Sequence, residues 1–340
     1  MTDHPAVSVL VVNYRTPELT MRCMEALARE RRRLPTVTAI VVDGGSGDGS
    51  AEKIAKGLSH ADYLGWASLL PLPINGGYGW ANNQAMLTLG TRKPRPEFFH
   101  ILNPDTEIEE GAVVKLVEEL QANPRCGAAG SQLYWPNRRP AASAFRFPSP
   151  GREFAAAAQS EVIRRMLGIP AVVISSQESR EVDWVTGASA MFRASALEET
   201  GLFDDGFFLY FEEVELMHRL KASGWTVRHV PASRVVHVEG AATGVGAATT
   251  ERPFPPYWYQ SRRRYFELTG GSRALIGANL SSLGGQAVAA LKRLLGRPPA
   301  SEAFRFLDLM RIGFRPSGHG ASFPRLGDGP GRPPAWMTRP

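Results

Sequence analysis

The feature that most constrains the fold is an alternation of apolar runs and helix-like segments between residues 7 and 133. A continuous apolar run predicts a strand buried on both faces, and Thr16-Pro17 places a capping residue before a proline at the first helical position. The predicted strands are Val7–Val12, Thr38–Val42, Leu69–Ile74, Phe98–Leu102 and Gly127–Leu133; the predicted helices are Pro17–Glu30, Ala51–Leu58, one ending near Leu89, and Gly111–Gln121. This order is typical of right-handed β-α-β units, so we expect an α/β fold with a mostly parallel central sheet flanked by helices.

Polar side chains follow four of these strands at the point where each strand ends. They are Asn13, Asp43, Asn75 and the cluster Asn103–Asp105. In open sheets of this kind, ligands bind at the carboxyl ends of the strands. The sequence therefore predicts a binding site at this edge of the sheet.

Composition and cysteine content narrow the class of protein. The 340 residues are 43% hydrophobic and 21% charged, which is ordinary globular composition. The two cysteines, Cys23 and Cys126, exclude a disulfide scaffold and favour a reduced, cytoplasmic compartment. The N-terminal segment has an acid and no basic region before its apolar run, and that run is far shorter than the roughly 20 residues of a membrane span. We therefore expect neither a secretory signal nor a membrane span there.

The C-terminal part of the chain is strongly basic. From Glu251 onward there are fourteen Lys and Arg against five Asp and Glu, a net charge of +9, whereas residues 1–250 have a net charge of −3. This imbalance indicates a polyanionic neighbour, either membrane phospholipid or nucleic acid. Ala274–Leu291 is uncharged but carries several polar residues and glycines, so an interfacial helix is an alternative to a span. We expect a catalytic domain over residues 1–250, a basic helical extension over 251–320 and a disordered tail over 321–340.

Several nucleotide-binding and hydrolase motifs are absent. The turn NYRTPE after the first strand has no glycine, and GGYGWA follows a later strand and lacks the third glycine of a dinucleotide fingerprint. The sequence contains no GxxxxGK[ST], no GxSxG and no Cys/His zinc spacing. These absences exclude the dinucleotide oxidoreductase, P-loop kinase and α/β-hydrolase interpretations.

Two aspartates lie at strand ends, and each has two interpretations. Asp43 precedes a glycine-rich turn, where its carboxylate either accepts hydrogen bonds from a base or ribose or caps the turn. Asp105, in Asn103-Pro104-Asp105, either holds a divalent ion on a diphosphate or belongs to an ordinary type I turn.

An acidic run and a histidine are the remaining candidates. Glu212, Glu213 and Glu215 follow an apolar and aromatic cluster that begins at Phe207. Carboxylates are favoured at a helix start, but one that is partly desolvated also becomes basic enough to accept a proton. Thr226–Val230 and Arg234–Val238 are predicted as two short strands, and His237 lies near the end of the second. It completes a metal site only if the fold places it beside Asp105.

Seven stretches in a fixed order carry a family resemblance. They are VSVLVVNYRTPEL, VVDGGSGDGS, NGGYGWANNQA, ILNPDTEI, VDWVTGASAMFR, FFLYFEEVELMHRLKASGW and VVHVEGAATG, and they span Val7 to Gly244. In this order they resemble the inverting family 2 glycosyltransferases of the GT-A fold, within them a bacterial rhamnosyltransferase-like branch. The resemblance implies a nucleotide-sugar-binding fold and an enzyme that serves cell-envelope polysaccharide synthesis.

The resemblance implies the donor-binding residues. Asp43 would contact the nucleotide base with Asn13 beside it, and Asn75 would lie near the diphosphate and sugar. Trp184 and Gly187 would shape the donor and acceptor cleft. Arg264 or its neighbours in QSRRRYF would belong to a C-terminal segment that folds over the phosphates.

The resemblance also implies the metal ligands and the base. Asn103-Pro104-Asp105 stands where the family has its Asp-x-Asp motif, so Asp105 and His237 would hold Mg²⁺ or Mn²⁺. Asn103 replaces the first acid of that motif. Glu213 would be the catalytic base of a single displacement, although it is one methylene longer than the usual Asp; Glu212 or Glu215 is the alternative base.

Partners and rival functions follow from the same comparison. We expect a dTDP- or UDP-sugar donor, with L-rhamnose as the sugar, and a saccharide or lipid-linked acceptor. We also expect a cytoplasmic protein that contacts the anionic inner face of the membrane, and no nucleic-acid partner, because no aromatic-basic RNA motif is present. The alternatives are a nucleotidyltransferase, for which the first turn supplies only Arg15, and an inactive glycan-binding homologue.

Overall fold

A nine-stranded mixed sheet forms the centre of the protein in the computed structural model, which describes residues 5–238, 253–296, 306–315, 318 and 320–337. The strands are β1 Val7–Asn13, β2 Val37–Asp43, β3 Ala67–Pro71, β4 Phe98–Leu102, β5 Thr106–Ile108, β6 Cys126–Tyr134, β7 Ala144–Phe145, β8 Arg180–Val182, β9 Trp184–Val185, β10 Ser189–Arg193 and β11 Thr226–His237. The order across the large sheet is β3-β2-β1-β4-β10-β6-β11-β5, with β8 beside β11, whereas β7 and β9 form a separate pair. The α/β class is therefore confirmed.

The N-terminal half of the sheet is parallel, as the alternation predicts. β1 pairs with β2 and β4, and β2 with β3, all in parallel. The register sets Asn13 opposite Asp43, so the two polar strand ends lie side by side. Strand β3 begins two residues before the predicted start, at Ala67, and ends at Pro71, which is tolerated because β3 lies at the edge of the sheet; Pro73 lies outside it.

The other half of the sheet mixes directions. β10 is antiparallel to both β4 and β6, and β11 is parallel to β6 but antiparallel to β5 and β8. The sheet is therefore mixed: β1 to β4 pair in parallel as expected, β6 and β11 form a further parallel pair, and the other pairs are antiparallel. The regular alternation of strand and helix ends near residue 135, and the long helix-containing segment between β6 and β11 is the crossover that their parallel pairing requires.

Helices cover both faces of the sheet. They are α1 Pro17–Arg31, α2 Ser50–Leu58, α3 Tyr78–Gly90, α4 Ala112–Ala122, α5 Pro150–Ala158, α6 Glu161–Met166, α7 Ala194–Thr200, α8 Glu212–Ala222, α9 Pro256–Leu294 and α10 Phe306–Asp308, followed by a π-helical turn, Leu309–Gly313. One face packs α1 and α4 against the sheet around Met24 and Leu116; the other packs α3 and α8 around Met86 and Leu216. Because both faces are covered, the central strands are apolar at successive positions.

A small antiparallel pair places the end of β11 beside the segment after β4. Two separate strands, Thr226–Val230 and Arg234–Val238, were expected here. The structure joins them into β11, with a register shift between Val230 and Arg234. His237 then pairs with Thr106 of β5, a three-residue strand that carries too little periodicity to predict.

Helix α9 starts on the core and runs along α5. Its first half buries Tyr259, Arg262, Arg264 and Tyr265, and Gly271 interrupts the helix with φ 66°. Only glycine adopts such a conformation without strain. The helix lies within the expected basic extension, residues 251–320.

The expectation of a disordered tail is corrected for residues 320–337, which pack along α3. Leu326 is buried, the Trp80 indole donates to the Arg332 carbonyl at 2.8 Å, and Gly331 N–H donates to Gln84 Oε1 at 2.6 Å. The Trp336 indole reaches the Gly76 carbonyl at 3.3 Å. A composition of Pro, Gly and Arg indicates disorder only when few apolar anchors exist, and here Leu326 and Trp336 supply them. Residues 338–340 lie outside the described residues.

Candidate active site

A cavity of about 560 Å³ opens at the carboxyl ends of β1 and β4, where the sequence predicted a site. Six of the predicted residues line it: Asn75, Asn103, Asp105, Trp184, Glu213 and His237. Gly187 also lies in its wall. Asn103 and Asp105 lie in the turn between β4 and β5, and His237 is the last residue of β11. Glu213 lies in the first turn of α8.

Asp105 and His237 are in contact. The His237 Nε2 atom lies 3.1 Å from Asp105 Oδ1, and Asn103 Nδ2 lies 3.5 Å from the same nitrogen. Val238 N–H donates to the Asp105 carbonyl at 3.0 Å, which fixes the two backbones together. The side chain of Asp105 is almost fully buried and that of His237 is 12% exposed. The structure thus joins two residues that are 132 positions apart into one oxygen and nitrogen donor pair.

Glu213 is half-buried in the cavity wall and faces Gly187. Its carboxylate accepts a hydrogen bond from the Gly187 backbone, and a Cβ built on Gly187 would lie 3.7 Å from Glu213 Oε1. Burial raises the pKa of Glu213 above its usual value, against the lowering effect of these backbone hydrogen bonds. The arrangement gives a carboxylate that is more basic than an exposed Glu and that opens on the cavity.

The other two acids of α8 differ from Glu213. Glu212 is 3% exposed, its Oε2 has no hydrogen-bond partner among the described residues, and burial raises its pKa well above the usual value. Glu215 is buried against Arg219, which donates to its oxygens at 2.7 and 2.9 Å. Glu215 does not line the cavity, so it is the weakest of the three candidates for the base.

An aromatic wall stands beside these acids. The Trp184 ring stacks on Phe145 with centroids 4.2 Å apart, and its indole donates to the Arg146 carbonyl at 3.1 Å. The Tyr78 hydroxyl donates to the Gly187 carbonyl at 3.0 Å. Both rings are therefore fixed before a ligand enters, and both line the cavity, where an aromatic face can pack against a sugar ring.

Asn13 and Asp43 lie beneath the rim instead of in the cavity wall. Asn13 Nδ2 donates to Asp43 Oδ1 at 2.7 Å, and Ser46 donates to both oxygens of Asp43. Both side chains are buried, and the wall here consists of their neighbours Tyr14 and Gly44. The geometry favours the turn-capping interpretation of Asp43; its contact with a nucleotide base stays a prediction.

Arg264 does not reach the cavity, which corrects its predicted role at the phosphates. Its guanidinium is 2% exposed and donates to both Asp204 oxygens at 2.6 and 2.9 Å and to the Gly320 carbonyl at 2.9 Å. A cation in a buried pair of this kind has no free face for a ligand. The sequence pattern QSRRRYF locates the arginine but not the acid, 60 residues earlier, that binds it.

The sequence profile described as Glycosyl transferase family group 2 matches residues 99–268, half of the chain, and these residues supply Asp105, Glu213 and His237. The chain belongs to this family. It is 28% identical over 255 residues to an N-acetylglucosaminyl-diphospho-decaprenol L-rhamnosyltransferase of Mycobacterium tuberculosis, covering 72% of this chain and 79% of that protein. A 79-residue stretch is 32% identical to the rhamnosyltransferase WbbL of Escherichia coli, covering 22% of this chain and 30% of that protein.

Solved structures confirm the GT-A fold of this glycosyltransferase. The mannosyltransferase PcManGT of Pyrobaculum calidifontis, in complex with GDP-Man and Mn²⁺, has a TM-score of 0.55 at 16% identity and covers 88% of this chain and 78% of its own. GalNAc-T7 with UDP, GalNAc and Mn²⁺ also has a TM-score of 0.55, at 12% identity, covering 88% of this chain and 59% of its own.

Sequence reasoning missed the aromatic rim of the glycosyltransferase cavity. Phe208 and Tyr210 line it, and the left-handed backbone of Tyr210 and Phe211, with φ of 71° and 67°, turns the chain directly before α8. Non-glycine residues rarely adopt this conformation, and such strain is concentrated at functional sites. The aromatic run FFLYF was visible in the sequence, but its strained turn was not.

The cavity of the glycosyltransferase is acidic. Asp105, Glu212 and Glu213 line it, and none of its described lining residues is Lys or Arg. Within the described part of the chain, no group of three or more His, Cys, Asp and Glu is suited to hold a metal ion. The Asp105–His237 pair fits a divalent ion that takes its remaining ligands from a diphosphate and water, as Mg²⁺ commonly does.

Proposed function

We propose that the protein transfers a sugar from a nucleotide-sugar donor to an acceptor hydroxyl, with inversion at the anomeric carbon and with a divalent cation bound to the donor diphosphate. One observation carries the proposal. Asp105 and His237, whose oxygen and nitrogen atoms are suitable metal ligands, lie side by side in the same cavity whose wall contains Glu213, the half-buried acid of raised pKa. The family match and the GT-A fold support this reaction type.

The acidity of the cavity supports the requirement for a cation. A diphosphate entering this wall would meet acidic side chains and, among the described lining residues, no Lys or Arg to neutralise it. A Mg²⁺ or Mn²⁺ ion held by Asp105 and His237, with Asn103 beside them, would reverse the sign of the local charge. Bound there, the ion would stabilise the charge that develops on the leaving diphosphate.

Glu213 would accept the proton of the acceptor hydroxyl. The Gly187 N–H holds the carboxylate, and burial keeps it basic. As the hydroxyl oxygen attacks the anomeric carbon, the bond to the diphosphate breaks and the proton passes to a Glu213 oxygen. A single displacement of this kind inverts the configuration of the sugar, as in inverting carbohydrate enzymes generally.

We propose dTDP-rhamnose as the donor and L-rhamnose as the sugar that is transferred. The support is the name of the two matched relatives, both rhamnosyltransferases. The mycobacterial relative is named for a decaprenol-linked substrate, which supports a lipid-linked glycan of the cell envelope as the acceptor. Such an acceptor would be reached by a cytoplasmic protein at the inner face of the membrane.

The first experiment is a donor screen with a matched variant. Purified protein is incubated with dTDP-rhamnose, UDP-sugars or GDP-sugars, with Mg²⁺, Mn²⁺ or a chelator, and released nucleoside diphosphate is measured with and without acceptor. We expect dTDP release with dTDP-rhamnose that requires the metal. Glu213→Gln should lower transfer by about 10²- to 10⁴-fold while donor binding by calorimetry is unchanged.

The control variant is Glu118→Gln, an exposed acid on α4 that pairs with Lys115 at the surface, away from the cavity. It should transfer at the normal rate. Release of pyrophosphate instead of nucleoside diphosphate would identify a nucleotidyltransferase, and donor binding without any turnover would identify an inactive homologue. Full activity of Glu213→Gln would remove Glu213 as the base.

A further inference from the structure

The second half of α9 has an exposed apolar face. After the break at Gly271, the side chains Ile276, Leu280, Leu283, Ala287, Leu291 and Leu294 follow one another at spacings of three and four residues. This spacing places them in one stripe along the helix. Four of them are large and strongly exposed, at 50%, 59%, 58% and 83% for Ile276, Leu280, Leu291 and Leu294.

The opposite side of the same helix is occupied by the domain. A Cβ on Gly285 would lie 2.4 Å from the Phe154 carbonyl of α5, and Ala278 and Ser282 are buried. Lys292 Nζ donates to the Ala158 and Gln159 carbonyls at the end of α5. The helix is therefore fixed to the protein along one side and presents its apolar stripe outward.

The neighbouring segment adds a second apolar row. Leu309 and Gly313 of the π-helical turn are buried, and the Gly313 carbonyl accepts from Asn279 of α9 at 2.9 Å. On the outer side Phe306, Met310 and Phe314, spaced by four residues, are 54%, 45% and 39% exposed. Exposed apolar surface of this extent marks a site of interaction.

The charge around this surface distinguishes between two possible partners, a second copy of the chain and an anionic membrane. The sequence has no Asp or Glu between Thr269 and Ser301, the neighbouring segment carries one acid, Asp308, and Arg273, Arg293, Arg311 and Arg315 are exposed in the described residues around the stripe. Two copies pairing through this face would bring four arginines of each copy together, with Asp308 as the one acid in the described part of the surface to balance them. An apolar stripe with basic residues at its borders matches the interface of an anionic bilayer, where the leucines enter the acyl boundary and the arginines meet phosphate.

We propose that the outward face of α9, together with Phe306, Met310 and Phe314, docks the protein on an anionic membrane, with the helix lying in the plane of the interface. By length and composition α9 could cross a bilayer, but Arg262 and Arg264 in its first half are buried in ion pairs with the domain. Ser272–Leu294 would lie over about 34 Å of membrane surface. Tyr257, at the start of α9, touches Phe208 and Tyr210 on the cavity rim, so this docking would hold the cavity near the lipid surface.

Vesicle flotation tests the docking without donor or acceptor, so its result is independent of the proposed reaction. The full chain is mixed with vesicles of phosphatidylcholine, or of phosphatidylcholine with about a third phosphatidylglycerol. We expect binding to the anionic vesicles that weakens at high salt. Leu280→Asp/Leu291→Asp should lower the partition coefficient about tenfold or more, because two apolar anchors are lost.

The matched control is Leu64→Asp, an equally exposed leucine (65%) in the loop after α2, which should bind as the unchanged protein does. Circular dichroism and thermal melting establish that each variant folds, and Leu280→Gln/Leu291→Gln replaces the aspartate pair if that pair does not. Equal binding by the stripe variants and the control would overturn the proposal. A dimer in light scattering that the stripe variants dissociate would overturn it in favour of self-association.

Discussion

The buried acids of the cavity and those behind it are in opposite electrostatic surroundings. Behind the cavity, Asp204 is bound by Arg264, Glu215 by Arg219 and Glu153 by Arg262, at 2.6 to 2.7 Å. In the cavity wall, Glu212 and Glu213 are buried or half-buried with no Lys or Arg among the described lining residues. The same residue types are thus neutralised in one region and left uncompensated in the other.

The difference separates what holds the protein together from what reacts. A paired buried acid is costly to disturb, because removing one partner leaves a charge in a low-dielectric interior. Burial raises the pKa of Glu215 as well as that of Glu213, but Arg219 occupies the Glu215 carboxylate, whereas Glu213 has no cation among the described lining residues and is free to take up a proton. Asp204 and Arg264 therefore fix the position of α9 against the segment before α8, while Glu213 is available for chemistry.

The strongest test of this comparison is Arg264→Met, which leaves the fully buried Asp204 without its cation. We expect the free energy of unfolding to fall by about 3 to 5 kcal/mol in urea titration. Arg33→Met is the control, since Arg33 and Glu110 form an exposed pair in which both side chains are more than half exposed. That variant should leave the midpoint of the urea titration nearly unchanged, because solvent screens an exposed pair. Similar values for the two variants would mean that the buried pair has no special role.

Asp205 lies next to Asp204 but has an amide partner instead of a cation. Asn83 Nδ2 donates to Asp205 Oδ1 at 2.7 Å, and burial raises the pKa of Asp205 to about 7. Because the unfolded pKa is about 3.9, the native protein binds this proton more tightly, and that stabilisation is lost as pH rises from about 4 to about 7.

Asp205→Asn removes the charge and keeps an oxygen acceptor for Asn83. We expect the variant to be more stable than the unchanged protein at pH 8, by roughly 1 to 3 kcal/mol, and equal to it near pH 4. Urea titrations at both pH values measure this. A variant that is less stable at pH 8 would show that the carboxylate form is favoured, contrary to its environment.

On the cavity side, the pH profile of transfer reports the protonation of Glu213. Burial raises the pKa of Glu213 above 4.5, and only the ionised carboxylate accepts a proton. Below that pKa the rate should fall about tenfold per pH unit, so the acid limb should have its midpoint above 4.5. Donor binding measured over the same range is the control. An acid limb with its midpoint at or below pH 4.5 would mean that the base is a solvent-exposed carboxylate and not Glu213.

The parts of the site that could be predicted are those next to strong local signals. Asn103 and Asp105 directly follow an apolar strand, and Glu213 follows an aromatic run, so sequence and resemblance located them. That Asp105 contacts His237 depends on the fold and not on any local signal. The pairing of β5 with β11 brings the two side chains together. Their roles in binding and catalysis stay predictions.

The parts that could not be predicted depend on distant partners. Nothing near Arg264 indicates that Asp204, 60 residues earlier, neutralises it. The last residues of the chain have a disordered composition, yet Trp80 and Gln84 of α3 supply the polar contacts that hold them. In each case the local structure is stabilised by contacts with residues far away in the sequence, and the local hydrophobic periodicity does not reveal those contacts.

Trp336 contacts the rim of the cavity and gives the smallest expected effect. Its indole donates to the Gly76 carbonyl, beside Asn75 of the cavity, and its ring meets Phe208 edge-on with centroids 5.3 Å apart. Trp336→Ala removes both contacts, each of which contributes about 1 kcal/mol, and loosens this part of the rim without touching Glu213. We expect the donor KM to rise about fivefold while kcat stays within about twofold, which is the signature of lost ground-state positioning. Trp336→Phe keeps the edge-on ring and loses only the hydrogen bond, so its KM should lie between that of the unchanged protein and that of Trp336→Ala. An unchanged KM in Trp336→Ala, or a fall in kcat alone, would show that the C-terminal segment stabilises the fold without positioning the donor.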